Sequence, residues 1–377
     1  MENIYLDHAA TSPPHPQVIE KMIMILHDSF GNASSLHSYG REARRLLDDA
    51  RLAIASSIHA DFSEIVFTSG GTEADNLAIV GTALAKQTQG KHVITTSIEH
   101  PAVLQTCKFL EKNGFTVTYL PVDQTGVVSI EDVRKALRSD TILVSIMYGN
   151  NEVGSLQPIE AIGELLRNHP AVFHTDAVQA YGIETLNVQK LNVDLLSTSA
   201  HKINGPKGIG FLYVKTGVKL AAGMYGGEQE RKRRAGTENI PGIVGFAKAV
   251  KIVQAEMENN RERYRQYQQL FLDTLQAHDI SFEVNGDLEQ NLPHILNLSF
   301  PGADVETLLV QLDLAGIAAS SGSACTAGSF EPSHVLVAMF GKESKRIRNS
   351  IRFSFGLNNT TEQIETAALQ VVKIMKR

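Results

Sequence analysis

An α/β fold with a mostly parallel sheet covered by helices is what this sequence predicts, and three observations predict it. From about residue 16 to 255, short apolar runs alternate with stretches of helical period. Several of those runs end in polar residues able to do chemistry, at the strand ends where ligands gather in open α/β sheets. At 377 residues and 43% hydrophobic, the chain can bury a large core, and two domains are expected.

The elements follow in order. Glu64-Ile65-Val66-Phe67 runs into Thr68-Ser69-Gly70-Gly71-Thr72-Glu73, and the apolar Leu77-Ala78-Ile79-Val80 comes next. This reads as strand, glycine turn and helix. Glycine lets backbone approach a ligand, and the amides and positive dipole end of a new helix favour phosphate. The spacing is neither a P-loop nor a dinucleotide fingerprint, so a structural turn reads equally well here. His92-Val93-Ile94-Thr95-Thr96 leads to Glu99-His100-Pro101, where proline suits a first helical turn. The run from Thr141 to Met147 leads to Asn150-Asn151-Glu152-Val153-Gly154.

Two further runs carry the sharpest residues. Ala171-Val172-Phe173 precedes His174-Thr175-Asp176-Ala177-Val178-Gln179, and Leu195-Leu196 precedes Ser199-Ala200-His201-Lys202. If all these runs are parallel strands, then Gly71, Thr72, His100, Asn151, Asp176, Gln179, His201 and Lys202 converge beyond one edge of the sheet. A lysine there can bond covalently to the aldehyde of pyridoxal phosphate, and an aspartate can keep the pyridinium nitrogen protonated so that the ring withdraws electrons. Taken alone, a solvated charge is the plainer reading of that lysine; the convergence is what argues for a site.

The polar helical stretch from Ala255 to Tyr264 is expected to link to the second domain. Beyond it, Ile295–Phe300, Ile317–Ser320 and Ile351–Phe355 read as strands of a smaller α+β unit. Alternation puts Ile351, Phe353 and Phe355 on one face and Arg352 and Ser354 on the other. Thr360-Thr361-Glu362-Gln363 reads as a capping box opening the last helix.

The two cysteines differ in setting. Cys107 falls in line with Val103 and Leu110 at helical spacing and reads as apolar filler. Cys325 lies in Ser321-Gly322-Ser323-Ala324-Cys325-Thr326-Ala327-Gly328, a small-residue stretch without apolar period, where an accessible thiol can act as nucleophile or carrier. No disulfide is expected, and the pattern suits a reducing compartment. A net charge of -6 argues against a nucleic-acid-binding surface, the basic run Arg231-Lys232-Arg233-Arg234 notwithstanding. That run reads equally as a solvated loop or as part of a subunit interface or phosphate site. Neither a signal peptide nor a membrane span is expected, and the cytoplasm is the expected location.

These motifs carry a close family resemblance. From Tyr5-Leu6-Asp7-His8-Ala9-Ala10-Thr11 to about residue 356, the chain resembles cysteine desulfurases of the NifS/IscS type, within the fold-type I pyridoxal-phosphate enzymes. Ser69-Gly70-Gly71-Thr72-Glu73, Glu99-His100-Pro101-Ala102, Asn150–Gly154, Asp176–Gln179, Ser199–Lys202, Gly236-Thr237-Glu238-Asn239 and Ser321–Cys325 carry it in order. The resemblance implies a seven-stranded, mostly parallel large domain (16–258) and a small domain (1–15 and 259–377) bearing the cysteine loop.

It also implies roles. Lys202 holds pyridoxal 5'-phosphate and moves protons; Asp176 pairs with its ring nitrogen; Gln179 touches the ring hydroxyl; His100 stacks on the ring and aids proton transfer. Gly71, Thr72, Ser199 and His201 hold the phosphate, with Thr237 reaching in from the other subunit of a homodimer. Asn151, beside the cofactor, and Arg352 take the substrate carboxylate, and Cys325 attacks the sulfur of L-cysteine. The implied sulfur acceptor is a protein: an iron–sulfur scaffold, a tRNA-thiolating enzyme or a cofactor-biosynthesis enzyme. One departure stands out, Leu357-Asn358-Asn359-Thr360 where many relatives have Gly-Arg and an aromatic residue. Other readings are a class V aminotransferase, a selenocysteine lyase, a sulfur-relay adaptor without turnover, and a metal hydrolase on His100, His174, Asp176 and His201. Cys325 argues against the aminotransferase, and the spacing of the hydrolase set matches no zinc signature.

Overall fold

The computed structural model describes residues 3–321 and 332–376. The short strand β1 (Ile4–Tyr5) is followed by helices α1 (Pro16–Asp28) and α2 (Ser38–Ser57). Alternation then sets in: β2 (Ile65–Thr68), α3 (Gly71–Lys86), β3 (His92–Thr96), α4 (Pro101–Lys112), β4 (Thr116–Leu120), α5 (Ile130–Ala136), β5 (Thr141–Ser145), α6 (Ile159–Leu166), β6 (Val172–Asp176), α7 (Val188–Leu191) and β7 (Leu195–Ser199). After β8 (Gly210–Val214) comes α8 (Ile240–Ala277), a single helix of 38 residues. The remainder is β9 (Glu283–Val284), β10 (Ile295–Ser299), α9 (Val305–Leu314), β11 (Ile317–Ala318), α10 (His334–Phe340), β12 (Ser350–Ser354) and α11 (Thr361–Met375).

Strands β2 to β8 form a seven-stranded sheet in the order β2-β8-β7-β6-β5-β3-β4. All neighbours are parallel except β8, which runs antiparallel to both β2 and β7. Two antiparallel steps restore direction, so β2 points the same way as β7, and its carboxyl end lies on the same edge. Full burial of β2, β3, β5, β6 and β7 matches strands covered on both faces. Two strands of this sheet go beyond the sequence reading. β4 is an edge strand beginning exposed, and β8 follows Gly205-Pro206-Lys207-Gly208, which reads as a turn.

A smaller antiparallel sheet, β12-β10-β9, and the parallel pair β1-β11 make up the rest. The apolar side chains divide accordingly. One cluster of buried residues runs from Val18 to Val253; another joins Ile4 and Leu6 to residues between Tyr264 and Val372. The polar stretch after Val253 is not a break. It is the middle of α8, which carries Val253 into one cluster and Tyr264 into the other. Ile351, Phe353 and Phe355 share the second cluster, as their alternation predicts. Thr360 caps α11, its side chain accepting from Gln363 N. In the stretch after Gly356, Asn358 adopts the left-handed conformation, and buried Asn359 donates to Tyr5 O and accepts from Tyr267 through its carbonyl.

The basic run after Gln229 is pinned rather than freely solvated. Glu230 pairs with Arg51 through two hydrogen bonds of 2.7 and 2.6 Å and accepts from Phe67 N, with both side chains less than 5% exposed. Arg51→Ala leaves that carboxylate buried and uncompensated. It should cost about 3–5 kcal/mol, read as a lower urea midpoint, whereas the double variant Arg51→Met/Glu230→Leu should recover part of the loss.

Candidate active site

A cavity of about 370 Å³ opens beyond the carboxyl ends of β2, β3, β5, β6 and β7. Gly71, Thr72, His100, Asn151, Asp176, Gln179, Ser199, His201, Lys202 and Arg352 all line it, together with Ala9, Ala10, Asp75 and Ser320. Nearly the whole expected set is therefore in one place. Thr237 is exposed and is not among the lining residues. Cys325 lies outside the described residues.

Each side chain has a local reason for its position. Asp176 closes β6; its Oδ1 accepts from Val178 N at 2.9 Å, which fixes the turn. Burial raises its pKa, with His100 and Lys202 and the Val178 amide pulling the other way. His100 is the N-cap of α4, accepting from Ala102 N through Nδ1 at 3.1 Å. Burial lowers its pKa, which favours the neutral ring. His201 faces Thr11 Oγ1 at 3.1 Å, and burial together with Lys202 lowers it to about 4. Lys202 donates to the carbonyls of Ala9 and Ala10. Burial and then Arg352 bring it down from 10.5 to about 8.

Arg352 stands on the face of β12 opposite its apolar residues. It donates to Asp7 Oδ1 at 2.7 Å and to Asn151 O at 2.8 Å, while its buried Nε has no partner. Gln179 donates to Ala9 O at 2.9 Å, the same carbonyl that receives Lys202. The short segment after β1 thus supplies acceptors to three site residues, Lys202, Gln179 and Arg352.

Sequence reasoning missed Asp7 and Asp75. Asp7 was legible only as part of the motif Tyr5–Thr11. Asp75 stands one helical turn after Gly71 on α3, so both face the cavity; it is 1% exposed, and its Oδ1 makes no hydrogen bond but lies 3.7 Å from His174 Nε2. His174 does not act as a metal ligand in this arrangement. Its Nδ1 and Nε2 meet Ser145 Oγ and Ser197 Oγ, each at 2.9 Å, and among the described residues no three His, Cys, Asp or Glu side chains could hold a metal ion.

The sequence model of the class-V aminotransferases matches residues 4–366. A Bacillus subtilis protein named putative cysteine desulfurase IscS 1 is 61% identical over 377 residues, covering all of both chains. The cysteine desulfurase IscS of Dictyoglomus turgidum is 47% identical, covering 96% of this chain and 91% of that one. The chain belongs to the class V aminotransferase family, among its cysteine desulfurases. Among solved structures, a NifS-like protein superposes with a TM-score of 0.93 at 37% identity over 99% of each chain. A structure of SspA in complex with cysteine matches with a TM-score of 0.82 at 38% identity, covering 93% of this chain and 98% of that one.

Enzymes of this family use pyridoxal phosphate, and the residues present fit it. Gly70 offers no capping side chain, so the first turn of α3 has no side-chain cap, and it borders a neighbouring hollow lined by Ser69, Gly70, Gly71, Thr72, Ser199 and His201. A Cβ at Gly71 would come within 2.7 Å of Val178 Cγ2, so this close approach needs glycine. A protonated ring nitrogen against Asp176 would provide the positive partner that a buried carboxylate calls for.

The depressed Lys202 has a testable pH signature. Between about pH 8 and 10.5 the unfolded chain holds more protons on this group than the folded one, so its contribution makes the fold more stable as pH rises through that window. Pulse acetylation of cofactor-free protein should label the Lys202 peptide with a midpoint near pH 8. Exposed lysines should follow at about 10.4.

Proposed function

We propose that this chain converts L-cysteine to L-alanine with pyridoxal phosphate and carries the sulfur away as a persulfide on Cys325. The observation that supports this best is the convergence of Lys202, Asp176 and Arg352 on one cavity. A lysine that is partly neutral near pH 8, a buried carboxylate and a guanidinium with a free Nε–H answer the three needs of an amino-acid-handling site.

In this reading Lys202 holds the cofactor, Asp176 faces its ring nitrogen, His100 covers the ring, and Gln179 faces its hydroxyl. Gly71, Thr72, Ser199 and His201 take the phosphate. When bound, the cofactor supplies the electron sink that makes the substrate's Cα proton labile and its Cβ–Sγ bond breakable. Arg352 and Asn151 orient the substrate carboxylate. Lys202, freed of its bond and lowered to about 8, is matched to accepting and returning a proton near neutral pH. Neutral His100 can accept a second proton.

Sulfur transfer then balances without outside reagent. The Cys325 thiolate forms an S–S bond to the substrate sulfur, and the Cβ–Sγ bond breaks. Its electron pair stays with the three-carbon fragment, which takes a proton at Cβ to become the methyl group of alanine. Only a thiolate among the side chains is soft enough for this attack. Cys107 is unsuited, because burial on α4 pushes its thiol up to about 12.

The same reading makes the two apolar clusters two domains, 16–258 and 1–15 with 259–377, and has Thr237 serve the phosphate of a second copy's site. It places the enzyme in the cytoplasm, passing sulfur to a protein acceptor in iron–sulfur assembly, tRNA thiolation or cofactor synthesis. The relatives named cysteine desulfurase IscS support the sulfur-donating part of this reading.

Two variants test the chemistry. Asp176→Ala should still bind pyridoxal phosphate yet exchange the Cα proton of L-cysteine at least a hundredfold more slowly (about 3 kcal/mol); near wild-type exchange would make Asp176 structural. Cys325→Ser should bind L-cysteine but release almost no alanine. Wild-type protein given cysteine without reductant should gain one sulfur on the Cys325 peptide, and sulfur on Cys107 instead would overturn the assignment.

A further inference from the structure

We propose that Ser333 and His334 are positioning residues for sulfur transfer, pinning the chain that follows Cys325 to Glu152 and Glu99, the neighbours of Asn151 and His100. Ser333 Oγ donates to Glu152 Oε2 at 2.5 Å and accepts from Leu336 N at 3.1 Å, so one hydroxyl both caps α10 and ties it down. The next residue makes a second attachment, His334 Nε2 donating to Glu99 O at 2.9 Å. Glu152 directly follows Asn151, and Glu99 directly precedes His100. Both attachments therefore land one residue from a side chain that lines the cavity.

The residues that receive these bonds are themselves held through their other groups. Glu152 is 2% exposed; its amide donates to Asn150 Oδ1 at 2.8 Å and its carbonyl accepts from Asn297 Nδ2 at 2.9 Å. The Glu99 carboxylate accepts from Thr96 Oγ1 at 2.6 Å and from Met147 N at 3.0 Å. Beneath them, Val335, Leu336 and Met339 of α10 pack with Ile98, Met147 and Val153. The two hydrogen bonds, on consecutive residues and reaching separate strand-end turns, add to this packing in fixing where α10 begins. On the upstream side, Ser320 lines the cavity and pairs with Arg352. Cys325 stands eight residues before Ser333. A chain of that length reaches roughly 26–29 Å at most. Where it is anchored therefore bears on how the thiol meets the substrate sulfur, and small misplacements of reacting groups cost much.

The inference rests on Cys325 being the sulfur acceptor, and the experiment separates the two. Holoenzyme carrying Ser333→Ala or His334→Ala is mixed with L-cysteine, and sulfur on the Cys325 peptide is followed by mass against time. Persulfide formation and kcat should fall about ten- to a hundredfold. KM for L-cysteine and the visible absorption of bound cofactor should stay within about twofold, because Asn151, Arg352 and Lys202 are untouched. Ser333→Thr and His334→Gln, which keep a donor, should restore most of the rate. His334 is only half-buried and its loss leaves the Ser333 cap in place, so this variant is expected to fold and can decide alone. Wild-type persulfide rates in His334→Ala would overturn the pinning role, as would a parallel loss of cofactor absorption and KM, the mark of a purely structural residue. Absence of sulfur on Cys325 in wild-type protein would overturn both this role and the parent reading.

Discussion

Arg352 leaves the small sheet with its side chain 5% exposed and spends its guanidinium on groups from two other parts of the chain. One is the carboxylate of Asp7, just after β1; the other is the carbonyl of Asn151, beyond β5. Burying that cation is costly unless both contacts are made, so the small sheet, the amino-terminal segment and the edge of the large sheet must meet in one geometry. The cavity exists because they do. Ala9 and Ala10 enter its wall through the same segment, and their carbonyls hold Lys202 and Gln179. A single ion pair thus closes a site whose other parts come from strands far apart in sequence.

Around it, burial decides protonation. Glu99 is pushed up to about 8 and Glu152 to about 7, both by removal from water. Folded values above the unfolded 4.5 mean that the folded chain holds extra protons between them; whatever stability these acids lend is fully present below about pH 4.5 and is lost as pH rises through 7 to 8. Lys202 moves the opposite way, toward its neutral form. At about 8 it is nonetheless still mostly protonated at neutral pH, so Lys202 and Arg352 both present positive charge to the cavity that Asp176 also lines.

Much of this was legible in the sequence. Strand ends show themselves as apolar runs stopping at polar residues, and the parallel sheet turns that linear pattern into a shared edge; hence Gly71, His100, Asp176 and Lys202 could be grouped before any coordinates. Arg352 could be assigned its face from alternation alone. Asp75 could not be singled out, because an acid within a helix reads as solvated until a neighbouring sheet covers it. Asp7 needed a partner more than three hundred residues away. The 230–234 run stayed open between a solvated loop and an interface or phosphate role for a similar reason: Glu230 pairs with Arg51 and Arg234 with Glu73, contacts invisible to local pattern. β8 was hidden by glycines that read as punctuation.

The long helix α8 has a mechanical meaning. At 1.5 Å per residue it is a strut of roughly 57 Å, rooted by Val253 in one apolar cluster and by Tyr264 in the other. A loop between two cores would act as a free hinge, whereas an unbroken helix resists bending and transmits torque. Any displacement of the small sheet against the large one must then proceed as a roll or slide about this strut. The cleft between Arg352 and the strand ends can be expected to alter its aperture by shear, with the direction of that travel dictated by the axis of one helix.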